Sequence, residues 1–184
     1  MRTFIAVELP QNLKDKIDKL QQPLKKTDAY VSWVKPGNVH ATLKFLGEIP
    51  EERLDDIHQG VKNAVQGMAK FTLNLKGLGT FPDMRRPRVI WIGVDKGKDN
   101  LAQMNERIEE ELYKLNFPKE ERKFSPHLTI GRVKSPKNIQ ELMELVKKTD
   151  FETEDAEIKE VVIMKSKLLP TGAEYTPMRK ISLL

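Results

Sequence analysis

Two of the chain's three histidines are each followed two positions later by threonine, His40-Ala41-Thr42-Leu43 and His127-Leu128-Thr129-Ile130, and both pairs sit in short apolar runs of strand character. Side chains in a β-strand alternate faces, so each imidazole shares its face with one hydroxyl. The motifs lie 87 positions apart, from 40 to 127, nearly half of the 184 residues. That spacing suggests two pseudo-equivalent lobes, each presenting one motif to a shared cleft. Thr accounts for 10 of the 184 residues, so two of three histidines having Thr at +2 by chance has a probability of roughly one in a hundred.

Elements read along the chain agree with an α+β protein. Residues 2–8 read as a strand, and Pro10 opens an amphipathic helix with Leu13, Ile17 and Leu20 on its apolar side, running up to Pro23. Pro36-Gly37-Asn38 is a turn, and Val39–Leu46 is the first motif strand, with His40, Thr42 and Lys44 on one face. A helix from Pro50 carries Leu54, Ile57, Val61, Ala64, Val65 and Met68 as its buried stripe, and strands 71–75 and 89–94 follow. The second half repeats this order, with a helix at 100–115, the second motif strand, a helix at 138–148, and closing strands at 157–167 and 175–184. Short connections and the absence of a Pro/Gly/Ser-rich linker predict a single compact α+β domain over residues 1–184. Beyond the motifs the halves share only this order, so duplication stands as a hypothesis.

Composition narrows the chemistry. The chain has no cysteine, which excludes disulfides, thiolate zinc sites and cysteine nucleophiles and suits a reducing cytoplasm, the expected location. Residues 2–10 lack a signal-peptide core, and no stretch approaches the length of a membrane span. A net charge of +5 is compatible with a polyanionic partner and equally with a solvated Lys/Glu-rich surface.

Two histidines, with ordinary pKa values near 6.5, form an acid and base pair. Displacement at phosphorus needs a base for the attacking oxygen and an acid for the departing one on opposite sides, which opposed lobes supply. The developing charge on the equatorial oxygens needs donors, a task that fits the Thr42 and Thr129 hydroxyls. A metal site is disfavoured because neither motif carries a carboxylate partner and the histidines lack i,i+4 helical spacing. No G-x-S-x-G elbow marks a serine hydrolase. We therefore expect no metal and no cofactor.

The segment Trp33 through Glu48, containing Lys35-Pro36-Gly37-Asn38-Val39-His40-Ala41-Thr42-Leu43-Lys44-Phe45-Leu46-Gly47, resembles the first signature of the 2H phosphoesterases, and within them of the RNA 2′,3′-cyclic phosphodiesterases once called 2′-5′ RNA ligases. Phe124-Ser125-Pro126-His127-Leu128-Thr129-Ile130-Gly131-Arg132 resembles the second signature, and residues 166–175 resemble the family's C-terminal strand pair. The resemblance implies a bilobal α+β fold, with two pseudo-symmetric lobes whose antiparallel sheets line a central cleft and helices outside, and metal-independent opening of a 2′,3′-cyclic phosphate on RNA, tRNA fragments among the candidates, to a 2′-phosphate. It implies His127 as proton acceptor and His40 as proton donor, with Thr42, Thr129 and Arg132 on the phosphate. The motifs themselves leave the order of the two histidines open. Reverse 2′-5′ ligation belongs to the same implied chemistry, and a monomer is expected. Two alternatives stay open: a phosphodiesterase for another cyclic or 2′-linked nucleotide, and a basic RNA-binding protein without catalysis.

Strict alternation places Arg132 on the face opposite His127 and Thr129, although Gly131 offers a point at which the strand could turn it back; the competing reading is a surface salt bridge. Lys44 reads as a partly solvated lysine beside the motif. His58 lies at the edge of a helix's apolar stripe and reads as structural or solvated. Arg85-Arg86-Pro87-Arg88 is a basic loop, suited to RNA phosphates and equally readable as exposed surface. Trp33 and Phe124 read as core, and Gly77-Leu78-Gly79 leads into no helix, which rejects a dinucleotide fingerprint.

Overall fold

The computed structural model describes all 184 residues. Strands β1 (Arg2–Glu8), β3 (His40–Glu48), β9 (Glu160–Leu169) and β10 (Gly172–Ser182) form one antiparallel sheet in the order β10-β9-β1-β3. Strands β2 (Val31–Trp33), β5 (Leu75–Phe81), β6 (Val89–Val94) and β7 (His127–Val133) form the second, also antiparallel, in the order β2-β7-β6-β5. A short pair, β4 (Phe71–Leu73) with β8 (Ala156–Ile158), lies apart from both. Helices α1 (Gln11–Lys25), α2 (Leu54–Ala64), α3 (Lys98–Tyr113) and α4 (Ile139–Lys148) cover the sheets. None of them is long and apolar enough to cross a membrane.

The architecture is bilobal, but the lobes are not the two halves of the sequence. The first lobe's sheet takes strands from both ends of the chain, and the second takes β2 from the first half. The helices are exchanged as well. The stretch after β1 forms α1, which packs with α4 near the second sheet, whereas α3, which follows β6, packs on β3 and α2 in the first lobe. Each motif strand is thus braced by a helix that leaves the other sheet. One continuous cluster of 39 buried apolar side chains joins the lobes, so neither lobe owns a separate core.

Strand β5 departs from the sequence reading, which leaves residues 76–81 without a strand. Gly77 and Gly79 remove the alternating side chains that signal a strand, Gly77 to allow a φ of +80° and Gly79 for a tertiary reason. A Cβ on Gly79 would lie 2.1 Å from the Trp91 ring, which occupies that space. The closing strand read at 157–167 divides into β8, which pairs with β4, and β9, which joins the first sheet; α1 continues two residues past Pro23, which sits in its last turn, and the first motif strand runs to Glu48.

Candidate active site

Both motifs begin their strands, His40 at the start of β3 and His127 at the start of β7, and the two strands approach within 8 Å between Cα atoms. The local geometry is the same twice. His40 Nδ1–H donates to the carbonyl of Asn38 at 2.6 Å, and His127 Nδ1–H donates to the carbonyl of Ser125 at 2.6 Å. A carbonyl can only accept, so each bond keeps the proton on Nδ1 and leaves Nε2 as the nitrogen available for proton transfer. Asn38 is itself tied down, its side-chain amide donating to Ala173 O on β10 at 2.8 Å.

Both strands also carry a β-bulge at the same motif position. On β3, Thr42 pairs with Ala6 and Lys44 with Ile5, so Leu43 is the extra residue. On β7, Thr129 pairs with Trp91 and Gly131 with Ile90, so Ile130 is extra. A bulge inverts the alternation beyond it. The carbonyls of the two bulge residues are held by amide side chains from the exchanged helices: Asn105 of α3 donates to Leu43 O at 2.9 Å, and Gln21 of α1 donates to Ile130 O at 3.1 Å and to Val34 O at 2.8 Å.

The inversion corrects two expectations. Lys44 does not share the face of His40 and Thr42. It is buried among the core residues, with Nζ 2.7 Å from the Glu109 carboxylate and 3.0 Å from Pro118 O. Arg132 is returned to the face of His127 and Thr129, where strict alternation denies it a place; it is exposed and has no carboxylate within 4.0 Å. The surface salt bridge considered for it is not formed. On the first strand the equivalent position is Phe45, 67% exposed.

Aromatic rings seat both imidazoles, and these are the site features that the sequence does not announce. His40 stacks on Phe4, with centroids 4.8 Å apart, and meets Tyr175 edge-on at 5.1 Å. Phe4 belongs to a small apolar floor with Ala6, Val162 and Met164. Burial on this floor pushes the His40 pKa below its ordinary value of 6.5; the bond to Asn38 O opposes the shift, and the charge of Lys14 on α1 adds to it. His127 meets Phe81 edge-on at 4.9 Å and Trp91 at 6.1 Å. The only sequence sign of these seats is an aromatic on a strand adjoining each motif strand.

The remaining candidates lie elsewhere. Trp33 and Phe124 pack against the core, and His58 sits half-buried in α2. Arg85, Arg86 and Arg88 are exposed in the β5–β6 connection. No group of three or more His, Cys, Asp or Glu side chains forms that could hold a metal ion.

Each motif therefore presents an imidazole hydrogen-bonded through Nδ1 and a threonine on the same face of its strand, and the two strands approach each other from different sheets. The family model described as LigT like Phosphoesterase matches the chain twice in succession, over residues 7–91 and 92–175, one motif falling in each copy. An RNA 2′,3′-cyclic phosphodiesterase of Methanothermobacter thermautotrophicus is 37% identical over 97% of this chain and 96% of its own length. One from Methanocaldococcus jannaschii is 38% identical over 98% and 99%. Among solved structures, TT0787 of Thermus thermophilus superposes with a TM-score of 0.82 at 26% identity, covering 100% of this chain and 98% of that one. Escherichia coli LigT complexed with 3′-AMP, at 22% identity, shares the fold with a TM-score of 0.79 over 99% and 97%. The chain belongs to the LigT-like phosphoesterase family.

Proposed function

We propose that the chain is an RNA 2′,3′-cyclic phosphodiesterase that opens the terminal cyclic phosphate to a 2′-phosphate, with the whole chain acting as one domain. The observation that carries this reading is the repeated tautomer lock: both Nδ1 atoms are spent on the carbonyl two residues upstream, so both Nε2 atoms are left for the substrate. The relatives' activity, over almost the full length of the chain, supports the same chemistry.

In this mechanism His127 Nε2 takes a proton from water as its oxygen attacks phosphorus. His40 Nε2 gives a proton to the departing 3′-oxygen, which leaves on the opposite side as the P–O3′ bond breaks. Thr42 and Thr129 hydroxyls and the Arg132 guanidinium hold the non-bridging oxygens as charge grows on them. The product keeps its phosphate on the 2′-oxygen, with a free 3′-hydroxyl. A 5′-hydroxyl in the place of water gives a 2′-5′ linkage, and water at about 55 M favours hydrolysis.

Burial disfavours the protonated form of His40, and a bound phosphate anion supplies the opposite charge that favours it. Under this assignment kcat/KM falls on the basic side at a pH below 6.5, because His40 of the free enzyme must hold a proton that burial disfavours. With the roles exchanged, His40 would set the acidic limb instead.

Hydrolysis of a nucleoside 2′,3′-cyclic phosphate in excess EDTA tests the proposal. His40→Ala and His127→Ala should each lower kcat by about 10²–10⁴-fold. Unimpaired turnover by either variant contradicts it.

A further inference from the structure

Beyond Arg132 the second lobe carries a group of cations that the chemistry above leaves unused. Residues 82–88, the β5–β6 connection, place Arg85, Arg86 and Arg88 in solvent, and none of the three has a carboxylate within 4.0 Å. Like charges crowded into seven residues repel one another, and an unpaired cluster of this kind is complementary to a polyanion.

The connection is built as a hook. Asp83 Oδ1 accepts the backbone N–H groups of Arg85 at 2.9 Å and Arg86 at 2.8 Å, and these bonds, that from Arg86 first, hold its carboxyl below the ordinary range. Arg88 N–H donates to Phe81 O at 2.7 Å, and Arg88 O accepts from Val133 N–H at 2.9 Å. Pro87 is buried, and Met84 packs against the core. Asp83 is thus committed to the backbone rather than to the guanidinium groups.

Its position ties it to the site. Phe81, where the hook begins, lies against the His127 ring, and Val89, where it ends, pairs with Arg132 on β7. From His127 to Arg132 the strand advances about 13 Å, one residue being taken up by the bulge. The hook joins Phe81 to Val89, which pair with each other, and Val89 pairs with Arg132, so the hook continues the sheet at the Arg132 end of the motif strand.

We propose that this arginine hook is a second binding element, which holds the phosphodiester backbone of the RNA on the 5′ side of its cyclic end. The inference rests on the phosphodiesterase reading and adds to it a preference for oligonucleotides. A mononucleotide reaches the imidazoles and threonines but not the hook. Single-stranded contacts of this sort are sequence-tolerant and fall off with salt.

The test compares a short oligoribonucleotide and a mononucleotide, each ending in a 2′,3′-cyclic phosphate, as substrates of the intact protein and of Arg85→Ala/Arg86→Ala. Loss of two phosphate contacts should remove about sevenfold of the fall in oligonucleotide kcat/KM between 50 and 200 mM salt. Mononucleotide turnover should be unchanged, which also reports an intact fold. Arg85→Lys/Arg86→Lys should recover most of the salt dependence. Equal losses on both substrates, or an unaltered oligonucleotide salt dependence, overturns the hook. A change confined to the KM for a 5′-hydroxyl acceptor strand in ligation also overturns it, since the hook would then serve the other strand. Salt-dependent binding of a 2′-phosphate-ended oligonucleotide reads the hook without turnover. If neither substrate is hydrolysed by the unaltered protein, the phosphodiesterase reading fails on its own, and unchanged binding by the variant overturns the hook separately.

Discussion

The two motif sites share a backbone and differ in what surrounds it. Each has a histidine locked through Nδ1 to the carbonyl two residues before it, a threonine on the same face, a bulge at the fourth motif position and an amide from an exchanged helix on the bulge carbonyl. Beyond the bulge they diverge: the core-facing position is Lys44 in one and Gly131 in the other, and the position on the histidine's face is Phe45 in one and Arg132 in the other. His40 stacks flat on an apolar floor, and burial depresses its pKa. His127 lies beside an open strand that leads to arginines. The repeated parts fix the imidazole tautomers, and the unrepeated parts lower the proton affinity of His40 and place an exposed arginine beyond the second motif.

The largest effects should ignore the difference. Under the proposed mechanism one acid and one base act on one phosphate, so His40→Ala/His127→Ala should be little slower than the slower single variant, whereas independent sites would multiply the losses. Single-turnover hydrolysis by the three variants decides between these.

A smaller effect should be confined to the first lobe. Lys44→Ala strands the Glu109 carboxylate among buried neighbours, with side-chain exposures of 5% and 11% for the pair, and should cost about 3–5 kcal/mol of stability. Lys44→Met/Glu109→Leu should recover most of it. Urea unfolding of the set checks this; a loss under about 1 kcal/mol for Lys44→Ala, the scale of an exposed pair, would mean that the pair is not buried as described.

The bracing amides sharpen the comparison further. Gln21 is fully buried with two acceptors, whereas Asn105 is half-buried with one. Gln21→Ala should therefore cost about 1–3 kcal/mol and Asn105→Ala about 1 kcal/mol, each lowering kcat more than it raises KM because it loosens a motif strand. Denaturation paired with steady-state kinetics reads both.

The smallest effect concerns pH. The folded pKa of His40 lies below 6.5, so as pH falls through that value the unfolded chain takes up the proton first and stability declines until the folded pKa is passed. Above 6.5 this contribution is constant. The stability difference between the protein and His40→Gln should consequently shrink as pH drops from about 7.5 to about 5, by no more than about 1.4 kcal/mol per unit. A difference independent of pH would show that burial does not penalise the imidazolium.

The motif is legible in the sequence because it is local: positions i and i+2 of a strand share a face whatever surrounds them. The helices with regular apolar stripes, such as Leu101, Met104, Ile108 and Leu112 on α3, are equally plain. The bulges are not, because the groups that hold them lie far away: Asn105 is 62 residues from Leu43, and Gln21 is 109 from Ile130. Lys44 misleads for the same reason, its partner Glu109 being 65 residues distant. Strand β5 is hidden because Gly79 makes room for Trp91 and Gly77 takes a positive φ, and a residue that works by lacking a side chain leaves no periodic signal. The exchange of helices between lobes has no local signature at all.

The most direct test is a crystal structure with a nucleoside 2′-phosphate bound. It should show one phosphate with the Nε2 atoms of both His40 and His127 within about 2.6–3.2 Å of its oxygens, on opposite sides, and the Thr42 and Thr129 hydroxyls on its remaining oxygens. A phosphate that meets only one imidazole, or two phosphates in separate pockets, would contradict the shared site.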